Sequence, residues 1–151
     1  MYKQGRIDPV GDTCNFMHFC LFFTSQAFCR SINRMAEKEF ATTGLAPSQT
    51  YLLMIVIENP GITQKELAGH MQLAPSTITR FIDSFVRRGL VTKEADGKLV
   101  KVMATEIGET MTVEIQKVWT KLYERYSDAL GKEVGDDLAV RLDQATKALE
   151  S

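Results

Sequence analysis

Residues 62–103 read ITQKELAGHMQLAPSTITRFIDSFVRRGLVTKEADGKLVKVM. Thr63 stands three residues before Glu66, the spacing of a capping box, in which hydroxyl and carboxylate satisfy backbone N–H groups at a helix start. A short helix follows, with Leu67, Ala68 and Met71 inward, until Leu73-Ala74-Pro75 interrupts it. Pro75 suits the first turn of the next helix, where its fixed φ fits and its missing N–H is not needed. That second helix is expected to reach about Arg88, with Ile78, Ile82 and Phe85 forming one apolar stripe at spacings of four and three. Gly89 closes it. Leu90–Lys93 and Leu99–Met103 are β-prone, and Asp96-Gly97 between them is a strong hairpin signal.

A short helix, a turn of three or four residues, a second helix and a hairpin make a winged helix-turn-helix layout. In helix-turn-helix proteins the second helix enters the major groove of DNA and reads bases with its N-terminal residues. With the apolar stripe turned inward, Ser76, Thr77, Thr79 and Arg80 fall outward on the first turns. All four can hydrogen-bond to phosphates or base edges, and an arginine can grip a guanine at two points. The helix N-terminus adds free N–H groups and a partial positive charge. Lys98, just after the hairpin turn, is placed to reach a minor groove or the backbone. Arg87 and Arg88 lie at the far end, as further DNA contacts or as partners of Asp83 or Asp96 that brace the hairpin. The plain alternative for the whole set is an ordinary solvated helix face.

Outward from this stretch the chain reads as helix. Residues 1–12, with Gly5, Pro9 and Gly11, form a loose arm. Asp12 or Thr13 can cap a long first helix running to about Phe40. The first half of that helix is apolar nearly all round, so it must be covered on more than one side. Gly44 suits a left-handed C′ position. Pro47 opens a helix whose Tyr51 to Ile57 are continuously apolar, hence central and buried, and Asn59-Pro60-Gly61 stops it. Beyond the hairpin, Thr105 is expected to cap one long helix with Ile107, Met111, Ile115, Val118, Leu122 and Tyr126 inward. Gly131 and Gly135 mark a turn, and a last helix carries Val134, Leu138, Leu142, Ala145 and Leu149. The expected fold is mostly α with a small β-hairpin wing: an N-terminal arm and dimerisation helix at 1–44, the winged helix-turn-helix at 45–104, and C-terminal dimerisation helices at 105–151.

The 151 residues are 44% hydrophobic and 25% charged, a balance with enough apolar matter to offset chain entropy and argue against disorder. The longest unbroken apolar run, Tyr51 to Ile57, is seven residues, far below the roughly 20 a membrane span needs. No basic start, apolar stretch and cleavage site occur in that order at the N-terminus, so no secretory signal is expected. Three cysteines are too few and odd in number for a disulfide framework, which points to a reducing cytoplasm. The net charge of −1 speaks against nucleic acid only until it is resolved along the chain. Residues 1–61 are neutral, with five charges of each sign. Residues 62–101 hold seven basic residues (Lys65, Arg80, Arg87, Arg88, Lys93, Lys98, Lys101) and four acidic ones, a surplus of three. Residues 102–151 hold six basic and ten acidic residues, a deficit of four. The basic surplus coincides with the stretch that has the reading layout.

Thr63-Gln64-Lys65-Glu66-Leu67-Ala68, then Leu73-Ala74-Pro75-Ser76-Thr77-Ile78-Thr79-Arg80-Phe81-Ile82-Asp83, then Arg87-Arg88-Gly89-Leu90-Val91 closely resemble the MarR family. Gly44-Leu45-Ala46-Pro47-Ser48-Gln49 resembles that family's Gly-Leu-Thr-Pro-x-Gln, and Ala104-Thr105-Glu106-Ile107-Gly108 its Leu-Thr-x-x-Gly after the wing. The resemblance covers about residues 15–150. It implies a homodimer paired by the first and last helices, with two winged domains on a palindromic operator. It also implies a repressor released by a small ligand or by cysteine oxidation. The wing is shorter than usual, and the family's Asp-x-Arg tip is Asp96-Gly97-Lys98, a point charge in place of a planar fork. Ala46 and Ala74 stand where a capping Thr or Asp is expected, each a substitution worth about 1 kcal/mol.

Cys14, Cys20 and Cys29 lie at separations of six and nine, about 240° and 180° around a helix, so they share no face and form no metal cluster within one subunit. Cys14 sits near a helix N-terminus, where a thiolate is favoured. Cys14 and Cys20 are the redox candidates, prompted by a branch of the resembled family that senses hydroperoxides with a first-helix cysteine. The plainer reading is that free cysteines act as small buried hydrophobes. The aromatic set that includes Phe19, Phe22, Trp119 and Tyr123 is most simply core and interface. The sharper reading is a pocket for a small aromatic or anionic effector, anchored by His18 and Arg30. Neither His18 nor His70 stands in a metal-ligand pattern, and no nucleophile elbow or phosphate-binding loop occurs, so no enzyme, metal or cofactor is expected. The expected function is sequence-specific binding of double-stranded DNA by a cytoplasmic homodimer that regulates transcription. The alternative is a winged-helix module for protein contacts without DNA binding.

Overall fold

The computed structural model describes residues 17–150. The chain forms two compact units, one up to Lys38 and the other from Glu39 onward. In the first, residues 17–19 are helical, Cys20 is not, and helix α1 runs Leu21–Phe40 into the second unit. The loose arm and the expected Asp12 or Thr13 cap lie outside the described residues. Leu21, Phe22 and Phe23 are exposed, with the Phe22 and Phe23 rings edge to face at 5.4 Å.

In the second unit, Phe40 is fully buried and a short 3-10 turn, Ala41–Thr43, leads to Gly44 at φ 65°. Helix α2, Pro47–Glu58, buries Leu52, Leu53, Met54 and Val56. Tyr51, expected inside with them, is half-exposed, because a continuous apolar run wraps every side of a helix while only part of the circumference is covered. Ala46 caps α2 without a side-chain acceptor. Gln49 instead accepts from the Ala46 N–H at 3.0 Å, which keeps half of a capping box where the cap residue has no oxygen.

Strand β1, Ile62–Thr63, goes beyond the expected hairpin. It adds an edge to β3, Leu99–Ala104, whose other edge pairs with β2, Val91–Asp96, so the sheet order is β1-β3-β2, antiparallel throughout. Thr63 then starts α3, Gln64–Met71, through the full box: Thr63 Oγ1 accepts from the Glu66 N–H at 3.2 Å, and the Glu66 carboxylate accepts from the Thr63 N–H at 2.9 Å. Helix α4 runs Pro75–Arg87. The hairpin strands β2, Val91–Asp96, and β3, Leu99–Ala104, are longer than expected. Asp96 pairs with Leu99, so the turn residues are Gly97-Lys98, one position later than Asp96-Gly97. Gly97 has φ 60°, the first-position glycine that a tight two-residue hairpin favours.

The expected single helix after the wing is two, α5 (Glu106–Thr110) and α6 (Thr112–Leu130). Thr105 caps α5 as expected, its Oγ1 accepting from the Gly108 N–H at 3.1 Å. At the junction the Met111 N–H bonds to the Gly108 carbonyl at 3.1 Å, a three-residue reach that tightens the helix and splits it. Ile107, expected inward, is exposed, because buried Gly108 takes the face that lies on Leu90. Gly131, at φ 85°, ends α6, and α7 runs Lys132–Leu149. Gly135 lies within α7 and not in a turn. It is buried, and a Cβ there would stand 3.5 Å from the Tyr126 ring. Val134, Val140, Leu142 and Leu149 of α7 are exposed.

One core holds the winged part together. Leu52, Leu53 and Val56 from α2, Leu67 from α3, Ile78, Ile82 and Phe85 from α4, Val91 and Val102 from the sheet and Ile115 from α6 are all buried in it. No single helix among the described residues is long and apolar enough to cross a membrane.

Candidate nucleic-acid interface

Helix α4 has two faces of opposite character. Ile78, Ile82 and Phe85 are fully buried, which fixes the rotation of the helix on the core. A turn of about 100° per residue then carries Ser76, Thr79 and Arg80 to the exposed side. Thr77, expected outward with them, is only partly exposed, because it borders the buried stripe at Ile78. Thr79 Oγ1 donates to the Pro75 carbonyl at 3.0 Å and lies 3.4 Å from Gln64 Oε1 of α3. This holds the hydroxyl in place while its lone pairs stay able to accept.

Ala74 offers the start of α4 no side-chain cap. The Thr77 and Ile78 N–H groups turn back to the Ala74 carbonyl at 2.9 and 3.2 Å. The first turn thus carries no competing carboxylate or hydroxyl cap, and its positive end remains available to a phosphate. Lys98 is exposed at the tip of the hairpin.

Of the two readings open for Arg87 and Arg88, the structure does not support pairing with Asp83 or Asp96. Asp83 is bound by Lys93 at 2.7 Å and Asp96 by Lys101 at 2.6 Å. The Asp96 carboxyl is held below its usual range by the Lys101 hydrogen bond and charge, and Lys101 is raised in turn. A period-two reading of the hairpin could have found the second pair. Asp96 faces Leu99, and Lys101 is the next residue on the same face of β3, a diagonal neighbour within reach of a long side chain. Arg88 instead donates from Nη1 to the Gly44 carbonyl at 3.0 Å. Arg87 is exposed. Among the described residues, Arg80, Arg87 and Lys98 enter no ion pair, so α4 and the wing tip carry positive charge that no described carboxylate neutralises.

The residues offered for an effector fall in both units. His18, Phe19, Phe22 and Arg30 are exposed in the first. In the second, Trp119 stacks on Tyr51 with ring centroids 4.8 Å apart, and its Nε1 lies 3.4 Å from Thr50 Oγ1. The Tyr123 hydroxyl donates to Asp136 at 3.2 Å, and its ring meets Tyr126 edge to face at 5.3 Å. Burial, then the neighbouring Tyr123 and Asp136, push the Tyr126 phenol up, and burial raises Tyr51. These rings join α2, α6 and α7. Cys20 is half-buried and Cys29 exposed, both free; Cys14 lies outside the described residues. Among the described residues no three His, Cys, Asp or Glu groups gather as a metal site.

Residues 45–98 match the family model described as the MarR family. A curated relative, the uncharacterized HTH-type transcriptional regulator YybA of Bacillus subtilis (strain 168), is 30% identical over 83 residues, 53% of this chain and 55% of its own. The chain thus matches about half the length of that relative. The transcriptional repressor CouR, solved bound to a 23-mer DNA duplex, has a TM-score of 0.79 at 20% identity, over 86% of this chain and 94% of its own. CouR from Rhodococcus jostii RHA1, solved bound to p-coumaroyl-CoA, has a TM-score of 0.74 at 22% identity, over 85% and 93%. These structural likenesses establish the fold. Residues 45–98, the winged helix-turn-helix, are thus similar to the MarR family, and the curated relative that the chain matches is an HTH-type transcriptional regulator.

Proposed function

We propose that this chain regulates transcription by binding double-stranded DNA sequence-specifically as a cytoplasmic homodimer, and that it acts as a repressor on a palindromic operator. The observation that carries the reading is the two-faced α4. A fully buried stripe orients a polar first turn outward, and the accessible cations Arg80, Arg87 and Lys98 lie on the same helix and the wing beside it. Ser76, Thr77, Thr79 and Arg80 would contact base edges and phosphates, with Lys98 reaching the neighbouring groove. The exposed apolar residues of α7 (Val134, Val140, Leu142, Leu149) and of α1 (Leu21, Phe22, Phe23) supply the surfaces a second subunit would cover. Release by a small aromatic or anionic ligand, near Trp119 and Tyr123 or His18, Phe19, Phe22 and Arg30, is the reading we favour for regulation. The CouR structure holding p-coumaroyl-CoA supports it by fold analogy. Oxidation of Cys14 or Cys20 is the second route.

Selection of duplexes from a random-sequence pool tests the proposal. The expected product is a pair of inverted half-sites centred about 10 base pairs, one helical turn, apart. A pool that never departs from random, at low as well as physiological salt, would favour a protein-binding winged helix instead.

A further inference from the structure

We propose that Arg88 is a positioning residue for DNA reading: its guanidinium ties the C-terminal end of the reading helix to the turn at Gly44 and so sets the angle at which α4 meets the groove. The inference rests on the DNA-binding reading above and assigns Arg88 a role other than phosphate contact.

Arg88 is the C-terminal cap of α4, its backbone N–H bonded to the Ser84 carbonyl at 3.1 Å. Its side chain spans 44 positions of sequence to reach Gly44. Two carboxylates were open to it by sequence, but Lys93 and Lys101 occupy them. A guanidinium directed at a neutral carbonyl neutralises no charge, so the bond serves geometry, and a planar fork of five donors holds direction better than a lysine ammonium. Gly44 is in the left-handed region, at φ 65°, and a Cβ there would meet Arg88 Nη2 only at ordinary contact, 3.5 Å. The glycine is therefore required by backbone conformation and not by space.

This turn and the end of α1 before it are also tied to α6. Thr42 Oγ1 donates to Glu114 Oε1 at 3.1 Å, and Arg125 forms an ion pair with Glu39. Residues 39–44 thus carry three ties, one to the reading helix and two to the long helix after the wing. A displacement of α6 against the turn would be passed through Arg88 to the end of α4. Helix α4 is 13 residues long, about 20 Å, so slack of about 1 Å at Arg88 tilts it by roughly 3°, enough to disturb hydrogen bonds that need donor and acceptor within a few tenths of an ångström.

The test is a salt titration of DNA affinity by fluorescence anisotropy, with a duplex selected from a random pool by the wild-type chain. Wild type, Arg88→Ala, Arg88→Lys and Arg80→Ala are compared, with circular dichroism to confirm folding. Each phosphate contact contributes about one unit to the slope of log affinity against log salt. Arg88→Ala is expected to weaken binding about tenfold, the scale of one charge-assisted hydrogen bond, with the slope unchanged and amide exchange faster at residues 41–46. Arg88→Lys, which keeps the charge but not the fork, is expected to recover only part of the affinity. A slope reduced by about one in Arg88→Ala would make Arg88 a phosphate contact and overturn the proposal. Unchanged affinity would overturn it too. In both cases intact wild-type binding leaves the DNA-reading function standing, whereas a wild-type chain that selects no duplex overturns that function and this role together.

Discussion

Gly108→Ala should destabilise the protein, although helix propensity alone says the reverse. In an unencumbered helix interior, replacing glycine by alanine is worth up to about 1 kcal/mol of stability. Gly108 is not unencumbered. A Cβ built on it would collide with the Leu90 carbonyl oxygen and stand 3.1 Å from the carbonyl carbon. That oxygen already accepts the Thr105 N–H at 3.0 Å, and Thr105 Oγ1 donates to the Gly89 carbonyl at 2.6 Å while capping Gly108. Leu90 is buried at the root of the wing, so neither partner is a flexible side-chain tip. Overpacking of this kind costs about 1–3 kcal/mol, and weakening the Thr105 cap adds about 1 kcal/mol. Against the propensity gain the net is a loss of about 2 kcal/mol, which for a chain of this size lowers the melting temperature by roughly 4–8 °C. Thermal and urea unfolding at one fixed protein concentration reads it, since the stability of the proposed dimer would depend on concentration. Gly69→Ala is the control. Gly69 lies in α3 with nothing within 4 Å of its Cβ position, so there alanine should be neutral or stabilising. If Gly108→Ala stabilises as Gly69→Ala does, the packing of α5 on the root of the wing is wrong.

Thr63→Ala removes the hydroxyl that caps α3 and should cost about 1 kcal/mol at neutral pH, measured by urea unfolding. The hydrogen bonds from the Thr63 backbone and side chain hold the Glu66 carboxyl below its ordinary value, with His70 adding to them. A depressed folded-state value means this contribution is complete above the unfolded carboxylate range, near pH ~4.3, and is lost as pH falls through the folded value. Thr63→Ala keeps the backbone N–H bond to Glu66 and loses the hydroxyl bond, so it should flatten the acid limb of the stability profile in part, and an unchanged limb would show that the hydroxyl does not hold the carboxylate. Lys98→Ala should lower DNA affinity for all sequences alike and reduce the salt slope by about one; a sequence-dependent loss would make Lys98 a base reader instead. Val140→Glu, placing a charge on the exposed apolar side of α7, should shift sedimentation toward monomer, and an unaltered distribution would move the subunit contact off this helix.

The winged part was legible because its signals are local. A capping box, a proline at a helix start and a stripe at spacings of four and three each act over fewer than ten residues, and Thr63, Pro75 and Ile78-Ile82-Phe85 stand where those rules put them. What escaped depends on residues far apart in sequence. The two-residue strand Ile62–Thr63 exists because β3, some 40 positions on, offers an edge. The split at Met111 and the exposure of Ile107 follow from Gly108 lying on Leu90, which periodicity within one helix does not contain. Gly135 resembles a turn residue by sequence, but the Tyr126 ring takes the space a side chain would fill. The polar exposed face of α4 was legible down to Arg80, but the destination of Arg88 was not: counting charges cannot tell that two lysines have already claimed Asp83 and Asp96.

Whether exposed side chains of α4 read bases is tested most directly by the affinities of wild type and Arg80→Ala on single-base-pair variants of the selected duplex. Wild type is expected to lose about 1–3 kcal/mol at one guanine per half-site, and Arg80→Ala to stop distinguishing that position while the others keep their preferences. An Arg80→Ala chain that retains the full wild-type base preference at every position would contradict base reading by this helix.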